Sequence, residues 1–184
     1  MGIKDLARDF KMRLTIRKSR TDEYSYSGNL RSPRRVMVLL PNHANTDSEF
    51  YEILAQMSEL YHRAEFTFVG GMQTNLPRIQ KYNSYNTVKP AEDDLSWSGL
   101  PNKNFISKIK TYQSELLIDL SVKKDYFNAF IAAQSEIPIR IGKFGSWGPP
   151  VYNFEIKSNH VQSEQLIHKS FMDVLKSICA GAAN

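Results

Sequence analysis

Tyr112-Gln-Ser-Glu-Leu-Leu-Ile-Asp-Leu-Ser121 and Ile137-Pro-Ile-Arg-Ile-Gly-Lys-Phe144, with a helical pattern between them, decide the fold of this chain. Apart from Asp119, residues 116–120 are apolar without alternation, as in a strand covered on both faces. Pro138 opens a second strand, Ile139 to Ile141. Between the two, Tyr126, Phe127, Phe130 and Ile131 recur at helical spacing over about 122–135. Strand, crossover helix and strand make the unit from which parallel sheets are wound, and such crossovers are right-handed.

Working outward, Arg35-Val-Met-Val-Leu-Leu40 is another doubly buried strand, closed by Pro41. The turn-rich loop Pro41-Asn-His-Ala-Asn-Thr46 follows, and Thr46 and Glu49 have the spacing of a capping box with Asp47 in the first turn. Phe50, Ile53, Leu54, Met57, Leu60 and Tyr61 then predict a helix to about residue 63. Glu65-Phe-Thr-Phe-Val69, stopped by Gly70-Gly71, reads as the next strand. A short strand is expected over 85–88, and an irregular surface excursion over 89–101. Phe105, Ile106, Ile109 and Tyr112 predict a helix; 151–156 reads as an edge strand and 160–180 as a last helix. The alternation predicts one α/β, Rossmann-like, three-layer domain with a mostly parallel sheet over 35–184.

At 184 residues with 41% hydrophobic and 23% charged content, a single soluble domain is expected. No apolar run approaches the ~20 residues that span a bilayer. Residues 1–20 lack the apolar core of a secretory signal. The expected location is cytoplasmic, with a peripheral position at the inner face of the membrane left open. Cys179 is the only cysteine, so the chain forms no internal disulfide and no thiolate cage; its thiol is expected to be packed or half-exposed.

The net charge of +5 is uneven. Residues 1–35 carry ten Lys or Arg against four acidic residues, and the rest of the chain is close to neutral. Residues 1–34 are therefore read as a basic helical extension and linker, with Ile3, Leu6, Ala7, Phe10 and Leu14 on one stripe of a helix over 3–18. Three readings of Lys4, Arg8, Lys11, Arg13, Arg17, Lys18 and Arg20 stay open. They lie on RNA or ribosomal phosphates, or on an anionic membrane surface, or they are solvated while Leu6, Phe10 and Leu14 pack on the domain. No DNA partner is expected.

The order of pieces resembles the N-terminal, acceptor-side half of the heptosyltransferase-type glycosyltransferases of the lipopolysaccharide core. The resemblance rests on the strand at 36–40 with its loop, on Ala64-Glu-Phe-Thr-Phe-Val69, on Ser114-Glu-Leu-Leu-Ile-Asp-Leu120, on Arg140-Ile-Gly-Lys-Phe144 and on His160-Val161 opening the last helix. It implies a Rossmann-like fold for about 35–180. It also implies a loop carboxylate acting as base on an acceptor hydroxyl, for which the nearest match is Asp47 in Asn45-Thr46-Asp47, without the family's Gly-Asp pair. No counterpart of the family's second, nucleotide-sugar domain is expected within these 184 residues. The expectation is a stand-alone glycosyltransferase-like domain without independent catalysis that acts through a macromolecular, in the first place protein, partner. The alternatives are half of a two-component envelope-glycan transferase and an RNA- or ribosome-associated protein.

Ligands of open α/β sheets sit beyond the carboxyl ends of the strands where strand order reverses. That places His43, Asn45, Asp47 and Lys123 at the rim of any pocket. Asp47 beside His43 forms a base with its partner, or Asp47 only complements the helix dipole. Asp119 is a site residue or a satisfied cap on a neighbouring backbone amide. Glu92-Asp93-Asp94 reads as a solvated loop, since consecutive carboxylates diverge. His160 and His168 lie two helical turns, roughly 12 Å, apart and cannot share a metal. No phosphate-binding glycine loop follows the first strand. Neither a metal nor a cofactor is expected.

Overall fold

The structure, a computed structural model, describes residues 2–18, 30–42, 48–74, 85–160 and 163–181. Its centre is a six-stranded sheet in the order β3-β2-β1-β4-β5-β6. The strands are β1 (Arg35–Leu39), β2 (Glu65–Val69), β3 (Tyr85–Val88), β4 (Leu116–Asp119), β5 (Ile139–Lys143) and β6 (Phe154–Ile156). Every pairing is parallel, with Val36 opposite Leu116 and Leu39 opposite Asp119 at the central junction. Parallel neighbours need crossovers, and three of these run through helices. These are α2 (Ser48–Leu60), α3 (Lys103–Thr111) and α4 (Tyr126–Gln134), with α1 (Ile3–Lys18) before the sheet and α5 (Glu164–Ala180) after it.

Strand alternation divides the apolar residues into two cores. Val36, Val38, Leu116, Ile118 and Ile141 face one way, toward Leu54 and Met57 of α2 and Phe171 and Leu175 of α5. Met37, Leu39 and Leu117 face the other, toward Phe105 and Ile109 of α3 and Ile131 of α4. The result is the expected three-layer Rossmann-like domain, with a sheet that is parallel throughout.

Local chemistry sets the helix ends. Asn102 caps α3 through the Phe105 amide, and Asp125 caps α4 through the amides of Phe127 and Asn128. The Asp125 cap is why 122–125 is loop and not the first turn of the helix predicted over 122–135. Ser163 likewise starts α5 later than predicted, leaving His160 exposed ahead of it, so the helix does not open with His160. Residues 151–153 are not strand. Val151 and Tyr152 are instead buried against the sheet, and Gly142 gives the Tyr152 ring its place, since a Cβ there would lie 2.5 Å from it.

Of the three readings left open for the N-terminal helix, the one that packs Leu6, Phe10 and Leu14 on the domain is corrected. Helix α1 exists as predicted, but it is turned the other way. Ile3, Leu6, Phe10 and Leu14 are exposed, and Met12 and Thr15 are buried against the body. The reason lies in α4, whose aromatic rings take cations from the opposite face of α1. Arg8 stands over the Tyr126 ring at 5.6 Å and Lys11 over Phe130 at 5.1 Å. The Tyr126 hydroxyl donates to Asp9, and the Arg8 Nε donates to the Ser98 carbonyl at 3.1 Å. Among the described residues, no helix is long and apolar enough to cross a membrane.

Candidate functional site

Strand order reverses between β1 and β4, and a crevice of about 410 Å³ opens there beyond their carboxyl ends. Pro41 and Asn42 after β1, and residues 121–127 after β4, make most of its wall. Arg8 of α1, Gly99 and Glu164 of α5 complete it. Gly71 gives Asn42 its place at the rim, since a Cβ at Gly71 would fall 1.6 Å from the Asn42 Oδ1.

The wall carries three cations, Arg8, Lys123 and Lys124, and two carboxylates, Asp125 and Glu164. Both carboxylates are engaged. The Asp125 Oδ1 accepts from the amides of Phe127 at 2.9 Å and Asn128 at 3.1 Å, which fills the α4 N-terminus. Glu164 lies 3.7 Å from the Lys123 Nζ in a solvent-exposed pair of little strength. Lys124 stands over the Trp147 ring at 5.3 Å, and Trp147 meets Tyr126 edge-on at 5.0 Å. An aromatic wall with cations at its edge can hold a flat or ring-shaped ligand that carries negative charge.

Beneath the crevice lies a polar network centred on Asp119, which is 2% exposed. Its carboxylate accepts from the Ser121 amide at 2.9 Å, the Asn128 Nδ2 at 3.1 Å and the Tyr152 hydroxyl. Asn128 also donates to the Leu40 carbonyl at 3.0 Å and the Ser121 Oγ at 2.8 Å, tying together the ends of β1 and β4. Burial pushes the Asp119 carboxyl from its ordinary 3.8 up to about 6, against the pull of Tyr152, with Asp125 adding to the rise. Burial also raises the Tyr152 hydroxyl well above its usual value, so the shared charge of this pair belongs to Asp119. His168 closes the floor, its Nε2 2.8 Å from the Leu120 carbonyl.

Of the residues singled out in sequence, Lys123 lines the crevice with its side chain largely in solvent. Asp119 lies under the crevice, engaged with a backbone amide and two side chains. His43, Asn45 and Asp47 lie outside the described residues, as does Arg20; Lys18 ends α1, with its side chain outside them too. Lys4, Arg13 and Arg17 are exposed on α1, and Lys11 is half-buried on Phe130. Arg8 is brought into the crevice wall. Sequence reasoning missed that role, because Arg8 reaches its place through Ser98, 90 residues away. It also missed Lys124 and Trp147, and it read Tyr126 only as part of a helical stripe. Among the described residues, no group of three or more His, Cys, Asp or Glu could hold a metal ion.

A family model described as a family of unknown function, DUF6913, matches residues 7–178, a span that takes in most of α1. No curated protein matches the chain. A solved structure, the crystal structure of the glycosyl transferase family 9 from Veillonella parvula DSM 2008, is similar with a TM-score of 0.46 and 16% identity. That similarity covers 84% of this chain and 43% of the other, so this chain spans less than half of its length.

Proposed function

The chain belongs to DUF6913, a family of unknown function, and from its own geometry we propose a glycosyltransferase-like domain that binds a small anionic ligand without turning it over alone. The observation that carries this reading is the character of the crevice wall. Arg8, Lys123 and Lys124 surround it beside Tyr126, while the carboxylates nearest the chemistry are committed elsewhere. Asp125 is spent on backbone amides and Asp119 on Tyr152, Asn128 and Ser121. A general base must have its acceptor oxygens open to the proton it removes, and among the described residues Asp125 and Asp119 already accept from protein donors. Holding an anion needs only the cations. Such a module serves a macromolecular partner by delivering or sensing the ligand.

Calorimetric titration with inorganic pyrophosphate and glucose 1-phosphate tests this, with a neutral disaccharide as control. Binding of the anions and not of the control is expected. The Lys123→Ala/Lys124→Ala pair should weaken it roughly tenfold or more, since a hydrogen bond to a charged group contributes about 1.5–3 kcal/mol. Absence of binding at millimolar concentration contradicts the proposal. So does steady consumption of a nucleotide sugar by the purified protein alone.

A further inference from the structure

Helix α1 is held to the body by one side and presents an apolar side to solvent. At about 100° per residue, Ile3, Leu6, Phe10 and Leu14 fall within an arc of roughly 80°, nearly opposite Met12 and Thr15. Their exposures are 80%, 55%, 65% and 39%. Four large apolar side chains on one exposed helix face are uncommon without a binding role. The stripe is convex and continuous, and at Leu14 it runs into a groove of about 530 Å³ between α1, α3 and α4. Ile106 and Phe130 line that groove, with Lys103 at its exposed rim.

Charge selects the occupant. The helix carries six Lys or Arg and two Asp, a net of +4 out of +5 for the whole chain. Arg8 and Lys11 are turned inward onto Tyr126 and Phe130, while the exposed Arg13 flanks the apolar stripe and the exposed Arg17 follows Leu14 at its C-terminal end. A second copy of the chain is disfavoured, since a two-fold contact sets the same positive charge against itself. RNA is disfavoured because phosphates would meet Ile, Leu and Phe where they need donors. An anionic lipid surface satisfies both halves of the face: acyl boundary for the apolar side chains, headgroup phosphates for the arginines and Lys103.

We propose that α1 is an interfacial helix that lays Ile3, Leu6, Phe10 and Leu14 into an anionic membrane surface, with Arg13, Arg17 and Lys103 on lipid phosphates. Flotation of the full chain with vesicles of phosphatidylcholine and phosphatidylglycerol (7:3), and with phosphatidylcholine alone, tests it. Binding to the mixed vesicles only is expected, falling at least tenfold for Phe10→Glu and for Arg13→Gln/Arg17→Gln, and falling again in high salt. As a second reading, Phe10→Trp should gain a blue-shifted emission component on the mixed vesicles alone. No flotation, or flotation that Phe10→Glu leaves unchanged, overturns the proposal. Retention of single-stranded RNA that Phe10→Glu leaves unchanged, without vesicle binding, overturns it in favour of a nucleic-acid surface.

Discussion

Burial holds a proton on Asp119 of the folded chain up to about pH 6, while an unfolded chain releases it near 3.8. Between those values the native state binds more protons, so stability falls as pH rises through the window. At about 1.4 kcal/mol per pKa unit, the ionised carboxylate costs about 3 kcal/mol by pH 7. Asp119→Asn removes the titration. Denaturant unfolding across pH 3.5–7 should show the wild type losing roughly that much relative to the variant; a constant difference between the two would count against the buried network. In sequence, the apolar run 116–120 announced a buried carboxylate, and its spacing to Ser121 allowed a cap. Tyr152 was not legible as its partner, because 33 residues and a loop lie between them.

Helix α1 shows where periodicity stops informing. Its helical nature follows from the pattern over 3–18, but its orientation does not. Two faces compete, an apolar one led by Phe10 and a mixed one led by Met12, and the choice belongs to α4. Tyr126 and Phe130 accept cations, so the mixed face docks. If this contact is integral to the domain, Met12→Ala should cost roughly 2 kcal/mol or more in global unfolding, as a buried Met deletion does. An unchanged unfolding midpoint would mean that α1 is an appendage. The capping residues explain the other shifts at element ends. Asp125 and Ser163 moved two predicted helix starts toward the C-terminus, and cap chemistry is a weaker signal than a hydrophobic stripe.

For the whole molecule, the doubly apolar strands at 35–40 and 116–120 required burial on both faces, and that requirement fixes a parallel sheet with helices on either side. From there the site's place follows, since the crevice lies where β1 and β4 diverge in strand order. Its composition does not follow. Arg8, Gly99 and Glu164 arrive from three distant parts of the chain, and only packing brings them to residues 121–127. A ligand seated in that crevice changes the surroundings of the backbone amides that line it. Amide chemical-shift mapping with inorganic pyrophosphate tests it most directly. Saturable shifts confined to 40–42, 121–127 and the Arg8 region of α1 are expected. Shifts that are absent, or that spread over the lysine-rich surface without saturating, would contradict it.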